Sequence, residues 1–252
     1  MKEKYEKELN RIVDDYYKFS HFDRAPVKYI ITEDMIGEYR KNNPGHPVNE
    51  DELAELPNVG GTTISPHFAG ETFVVLINLN QWKQYEGTAN EPHLATIVHE
   101  TTHVHDFITL AELLEKKDLI EFLNSPDGLQ VKQWSEFHAH SQGRYYMLTR
   151  VQHDNSFFFY LDNINMHYSD FMQALLLSKE TTENTILRFC GRIRAEERAL
   201  GKKAKIGALV NFKKVPGLFE LYRFLCIHEK PETINGHFDE LEQLIADVIL
   251  SD

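Results

Sequence analysis

Leu94-Ala95-Thr96-Ile97-Val98-His99-Glu100-Thr101-Thr102-His103-Val104-His105-Asp106-Phe107-Ile108 carries two patterns at once, and together they decide the fold around it. Leu94, Ile97, Val98, Thr101, Val104 and Ile108 recur at helical spacing and form one stripe that must pack. Each helical residue advances about 100°, so His99 and His103 return to within roughly 40° of each other, nearly opposite the stripe. Asn90 can cap this helix and Pro92 suits its first turn. Two imidazoles aimed from one face can grip one divalent metal ion, while Glu100 projects beside them, placed to meet a water rather than the metal. The competing reading is two solvated or core histidines one turn apart. The uncharged flanks, Thr96-Ile97-Val98 and Val104, weigh against a solvated surface.

A catalytic zinc site usually takes three protein ligands and keeps a fourth position for water. The best third candidate is Glu136, in Trp134-Ser135-Glu136-Phe137-His138-Ala139-His140. On a helix through this segment, Val131, Trp134, Tyr145 and Leu148 make an apolar stripe, with Glu136, His140 and Gly143 on the other side. His140 is either the ligand in place of Glu136 or a group that supports the ligands. His138 falls on the apolar side as a packed or rim histidine. A third-histidine pattern, H-E-x-x-H-x-x-G-x-x-H, fails because Asp106 and Thr109 stand where glycine and histidine are needed. No C-x-x-C exists for a structural zinc ribbon or a deaminase-type site. There is no P-loop or G-x-G-x-x-G, and Gly60-Gly61 reads as a turn leading into a strand.

Outward from these helices, residues 4 to 20 read as an amphipathic helix, Val27 to Thr32 as a strand and Glu33 to Lys41 as a helix. Pro44-Gly45 and Pro47 punctuate a loop or short-helix excursion from Asn42 to Pro57. Gly60 to Ser65 and Thr72 to Leu79 form a hairpin around Pro66 to Glu71, its second strand apolar on both faces as if covered by helices. Leu110 to Asn124 reads as a helix, stopped by Ser125-Pro126-Asp127-Gly128. Beyond it only helical periodicity appears, over about 129–151, 157–178, 182–199, 215–228 and 237–250. The expected fold is therefore α+β. A small N-terminal mixed sheet with helices (1–128, carrying the H-E-x-x-H helix) precedes an all-helical half (129–252, carrying the glutamate helix), with the metal site between them.

The 252 residues suffice for a substantial core, and 42% hydrophobic with 26% charged residues is ordinary for a soluble globular chain. A net charge of -12 argues against non-specific binding to nucleic acid or an anionic membrane. The basic clusters Lys202-Lys203-Ala204-Lys205 and Lys213-Lys214 read as solvated loop charge. No stretch is apolar enough to span a bilayer, and the N-terminus lacks an apolar signal core, so a cytoplasmic location is expected. Cys190 and Cys226 are too few for a disulfide framework and read as buried free thiols in a reducing compartment.

At these motifs the chain resembles the gluzincin-type metallopeptidases, whose H-E-x-x-H helix is followed by a helix that supplies a glutamate. His99 to Phe107, with Glu136-Phe137-His138-Ala139, is similar to the anthrax-lethal-factor-like branch. The strand ending Val75-Leu76-Ile77-Asn78 is similar to the one before the metal helix of ImmA/IrrE-like peptidases. The resemblance covers about residues 60 to 150. It implies a zincin-like fold, zinc held by His99, His103 and Glu136, and Glu100 as general base. It also implies that Asp106 orients an imidazole from behind, and that Thr72 to Leu79 is the edge along which an extended peptide pairs. The chain departs from the pattern at His105, where such helices more often carry an apolar residue, and at His140, where the branch tends to have an acid. The branch also places an oxyanion-stabilising tyrosine shortly before its glutamate. Here none lies between Tyr85 and Tyr145, so the role is unfilled or falls to a later residue, with Tyr146, His153, His167 and Tyr168 as candidates.

The expected activity is zinc-dependent hydrolysis of a peptide or protein substrate. A protein that keeps the metal site for binding or regulation without useful turnover is the alternative, motivated by the missing tyrosine and the long helical half. A metal-free helical protein with incidental histidines is the third reading.

Overall fold

The computed structural model describes residues 2–43, 50–68, 70–86, 92–151, 157–177, 183–201, 212 and 215–250. Asn90, His153, the Pro44-Gly45 and Pro47 turns and the lysines at 202–205 and 213–214 lie outside the described residues. No helix among the described residues is long and apolar enough to cross a membrane.

The N-terminal part runs α1 (Lys2–Ser20), β1 (Val27–Thr32), α2 (Met35–Asn42), α3 (Glu50–Glu55), β2 (Gly61–Ile64), β3 (Phe73–Asn78) and α4 (Leu79–Gln84). The metal-motif helix α5 (Pro92–Leu113) and the short α6 (Leu119–Leu123) follow. The remainder is α7 (Pro126–Val151), α8 (Phe157–Leu177), α9 (Glu183–Leu200), α10 (Leu218–Ile227), α11 (Pro231–Ile234) and α12 (Phe238–Ile249). The chain is thus α+β, with one three-stranded mixed sheet among many helices.

The sheet order is β1-β3-β2, with β1 parallel and β2 antiparallel to β3. This corrects the expectation that Thr72 to Leu79 is a free edge. β3 has hydrogen-bonded neighbours on both sides and is almost wholly buried, which is why it is apolar on both faces. The edge beside the metal helix is β2. Phe73, Val75 and Ile77 on one face of β3 join the main core, whereas Leu76 on the other packs with Met35, Leu53, Leu56 and Ile64 under α2 and α3. Asn78 ends β3 and caps α4, accepting from the amides of Asn80 and Gln81, while its Nδ2 donates to the carbonyls of Pro57 and Val59. One side chain therefore fixes the loop that delivers β2.

The helix expected over Leu110 to Asn124 is two helices. The chain turns at Glu115, which has a positive φ of 54°, and Asp118 then caps α6 by accepting from the amides of Ile120 and Glu121. The other expected helices are present with their ends moved by a few residues. The main core is continuous from Tyr5 on α1 to Val248 on α12. Where α5, α7 and α9 meet, glycine permits close approach. A Cβ on Gly143 would lie 2.5 Å from the Ala95 carbonyl oxygen, and one on Gly191 would lie 2.6 Å from that of Phe137.

Candidate metal centre

α5 is the hub of the site. Its back is tied down by the two middle residues of the motif. Thr101 Oγ1 lies 2.9 Å from the Tyr29 hydroxyl of β1, and Thr102 Oγ1 lies 2.9 Å from the Tyr16 hydroxyl of α1. His105 also faces this way, stacked on Phe22 at 4.5 Å between ring centres, and burial pushes it down to about 4. His105 is therefore a packing residue against the N-terminal elements.

The front of α5 opens on a cleft of about 2090 Å³. His99 and His103 present their Nε2 atoms 2.9 Å apart. Glu136 arrives from α7, with Oε1 3.4 Å from His103 Nε2 and Oε2 3.8 Å from His99 Nε2. His140, one turn along α7, places Nε2 3.6 Å from Glu136 Oε2. His99, Glu136 and His140 each offer a donor atom, all within 4.8 Å of one another. Donors on a tetrahedral zinc ion with bonds of about 2.0–2.1 Å stand about 3.3 Å apart, and the measured separations bracket that edge. Imidazoles with one carboxylate also suit zinc by chemistry. His99, Glu136 and His140 thus form the group that fits a divalent cation; it holds two of the three ligands inferred from sequence, with His140 as its third member, while His103 approaches His99 and Glu136 from beside it.

Behind His103 runs a buried relay. Ser135 Oγ donates to Asp106 Oδ2 at 2.7 Å, so the His103 Nδ1, 2.7 Å from the same hydroxyl, is the donor in that bond. The Nδ1 proton is thus held by Ser135, and the Nε2 proton, which Glu136 retains on His103, is the one a bound cation would displace to free that lone pair toward the cleft. Asp106 Oδ1 accepts from His138 Nδ1 at 2.9 Å, and His138 is stacked on Trp134. Asp106 is therefore one hydroxyl removed from the metal-facing imidazole, wedged between α5 and α7, and His138 is packed as expected. Sequence reasoning misses Ser135, because serine on a helix carries no signal of its own.

Charge is strongly uneven here. Burial pushes Glu100 up to about 7, against the opposing pull of His103 and the Thr63 hydrogen bond. Burial also acts to raise Glu136, but the attraction of His103 and His99 outweighs it and holds that carboxyl at about 2. Burial would lower His103 too, yet Glu136 carries it up to about 9. His99 and His140 are held well below their ordinary value, by burial first. His140 and His103 then act on His99, and Arg192 and Arg188 on His140. His99 and His140 are thus neutral imidazoles able to donate a lone pair, while the carboxylates draw positive charge to their centre.

Glu100 is held from the sheet side, where Thr63 Oγ1 of β2 donates to its Oε2 at 2.8 Å. A Cβ on Gly61 would lie 2.9 Å from Glu100 Cγ, so the glycine lets β2 come this close. Thr63 is a second residue that sequence reasoning misses; its one signal is a short polar strand after a glycine pair. Of the oxyanion candidates, Tyr146 is turned away and donates to Asp15 Oδ2 at 2.8 Å, and Tyr168 packs near Phe189. His167 does line the cleft. Arg144, Arg188 and Arg192 line it as well, and no motif points to them. Cys190 and Cys226 are both free thiols; burial raises Cys190 strongly and Cys226 to about 12, so neither is an activated nucleophile.

Compared with known proteins, the chain matches no protein-family model, no curated protein and no solved structure.

Proposed function

We propose that this chain is a zinc-dependent peptidase of gluzincin type, with His99, His103 and Glu136 as the ligands and Glu100 as general base. The observation that carries this reading is the arrival of Glu136 from α7 at 3.4 and 3.8 Å from the paired imidazoles of α5. When bound, zinc lowers the pKa of water toward 7 and polarises a substrate carbonyl. The protein supplies the rest. Ser135 and Asp106 hold the His103 ring in its ligand tautomer. Glu100, fixed through Oε2 by Thr63, accepts the proton of the attacking water and returns it to the leaving amine. The edge of β2, Gly61 to Ile64, lines the cleft and offers extended backbone for a peptide to pair with. A peptide library digested with and without a chelator tests the activity. Chelator-sensitive cleavage that Glu100→Gln abolishes, with zinc content unchanged, is expected; a fully active Glu100→Gln protein would overturn the mechanism.

One observation favours the second reading, a zincin-like binding or regulatory protein. His140 groups closely with His99 and Glu136, and added to the proposed ligands it would make a fourth donor; closed four-donor sites are structural rather than catalytic. Absorption spectroscopy at the zinc edge separates the two. Three protein donors in the parent, unchanged in His140→Ala, support the peptidase; four in the parent and three in the variant support the closed site.

A further inference from the structure

Three arginines line one wall of a cleft in a chain whose net charge is -12. Arg188 and Arg192 stand one turn apart on α9, so both project from the same face. α9 is held tightly to α7 by Gly191, where an added Cβ would lie 2.8 Å from His140 Cβ. The pair therefore sits level with the last turn of ligand residues. Arg188 is near enough for its charge to act on His99, Glu136 and His140, and Arg192 for its charge to act on His140. Neither guanidinium makes a hydrogen bond or ion pair with a described residue; Asp170 of α8 acts on Arg192 only from a distance.

Arg144 behaves differently. It is committed to the fully buried Glu196 at 2.9 Å, which also lies 3.3 Å from His167 Nε2. That network ends the arginine row in protein. Arg188, which is exposed, and Arg192, which is half-buried, thus offer two guanidiniums at the cleft with no partner among the described residues, and Arg192 is held down by its burial and by the other two arginines. Two guanidiniums on one helix face, with no partner among the described residues, suit a carboxylate or phosphate anion.

We infer that Arg188 and Arg192 bind the C-terminal carboxylate of a peptide substrate, so that the enzyme removes residues from carboxyl ends. This inference rests on the peptidase reading above. The carboxylate belongs to the chain end rather than to an acidic side chain further away, because an extended chain advances only about 3.3–3.6 Å per residue. An anion held beside the ligands is then one or two residues from the bond that is cut. In that hydrolysis the C–N bond breaks, water gives its hydroxyl to the acyl carbon, and its proton passes through Glu100 to the amine of the released residue.

The zinc-loaded full chain, offered one peptide as free acid and as C-terminal amide, tests this with products mapped by mass spectrometry. Loss of terminal residues from the acid, at about tenfold or more the rate on the amide, is expected. Arg188→Gln and Arg192→Gln should collapse that preference, chiefly through KM. A second arm needs no turnover. Titration calorimetry of Glu100→Gln with an N-acylated dipeptide acid and its amide should show the acid binding more tightly, with the preference lost in the arginine variants. Circular dichroism checks that the variants fold, and Arg192→Lys is a milder second substitution. Internal cleavage indifferent to the chain end overturns the inference while leaving the peptidase reading intact. So does an equal fall in kcat on acid and amide, which would place the arginines at the reacting carbonyl. Tight inorganic phosphate binding without an acid preference also overturns it. Acid-selective binding with no chelator-sensitive cleavage of any peptide overturns the peptidase reading instead.

Discussion

Glu100 and Glu136 are the same residue in the same cleft, and their surroundings drive them in opposite directions. At the β2 end, Glu100 has a threonine hydroxyl and an otherwise dehydrating environment, which lifts it to about 7. At the α7 end, Glu136 lies among imidazoles that hold it at about 2 in spite of burial. A carboxyl near 7 can take up and release a proton, while one that stays ionised can only anchor a cation. Under the proposed reading, the difference suits Glu100 to proton transfer and Glu136 to metal binding.

That division can be broken most forcefully by exchanging which carboxylate is lost. Glu136→Ala should empty the centre, reducing zinc affinity by more than the 10–100-fold that losing a supporting hydrogen bond costs. Glu100→Gln should leave zinc content intact and lower turnover by about 10²–10⁴. Zinc analysis beside activity reads both, and equal zinc loss in the two variants would erase the distinction. A smaller effect is expected at the relay. Ser135→Ala removes the hydroxyl between Asp106 and His103 and should weaken zinc binding about 10–100-fold, measured by competition with a coloured chelator.

The smallest effect concerns the metal-free protein. Because the Glu100 carboxyl sits above its unfolded value of 4.5, its contribution to stability is fully present below pH 4.5 and is lost as pH rises through about 7. Glu136 has the opposite sign, stabilising above pH 4.5 and losing its effect as pH falls toward 2. Metal-free Glu100→Gln should therefore lose less stability than the metal-free parent between pH 5 and 8, by on the order of 2 kcal/mol, read from melting curves across that range. Parallel melting curves for the two proteins would count against a raised Glu100.

Much of the candidate site is legible in the amino-acid sequence, because His99, His103, Glu136 and His140 each fall on one helical face of their own segment. Two helical faces, one with a packed stripe opposite, suffice to bring them together. What the sequence hides lies across the gaps between elements. Thr63 touches Glu100 from a four-residue strand, and Arg188 reaches the cleft from a helix some fifty residues beyond the ligands. Periodicity within a segment says nothing about which segments meet. The strand order is hidden for the same reason: the apolar character of β3 announces burial on both faces but not the β1 neighbour that makes it central. The break at Glu115 carries no glycine or proline to mark it, since a non-glycine residue takes the positive φ there.

The stacking of Trp134 on His138 has a practical consequence. The chain has two tryptophans, and this one is fully buried, anchored by its indole N–H to the His228 carbonyl at 2.7 Å. Its imidazole neighbour is linked through Asp106 and Ser135 to His103, so the indole sits at the far end of a wire that begins at the ligands. If the proposed centre takes zinc, emission from that ring should change on zinc addition, a response that needs no dye and should disappear in Trp134→Phe.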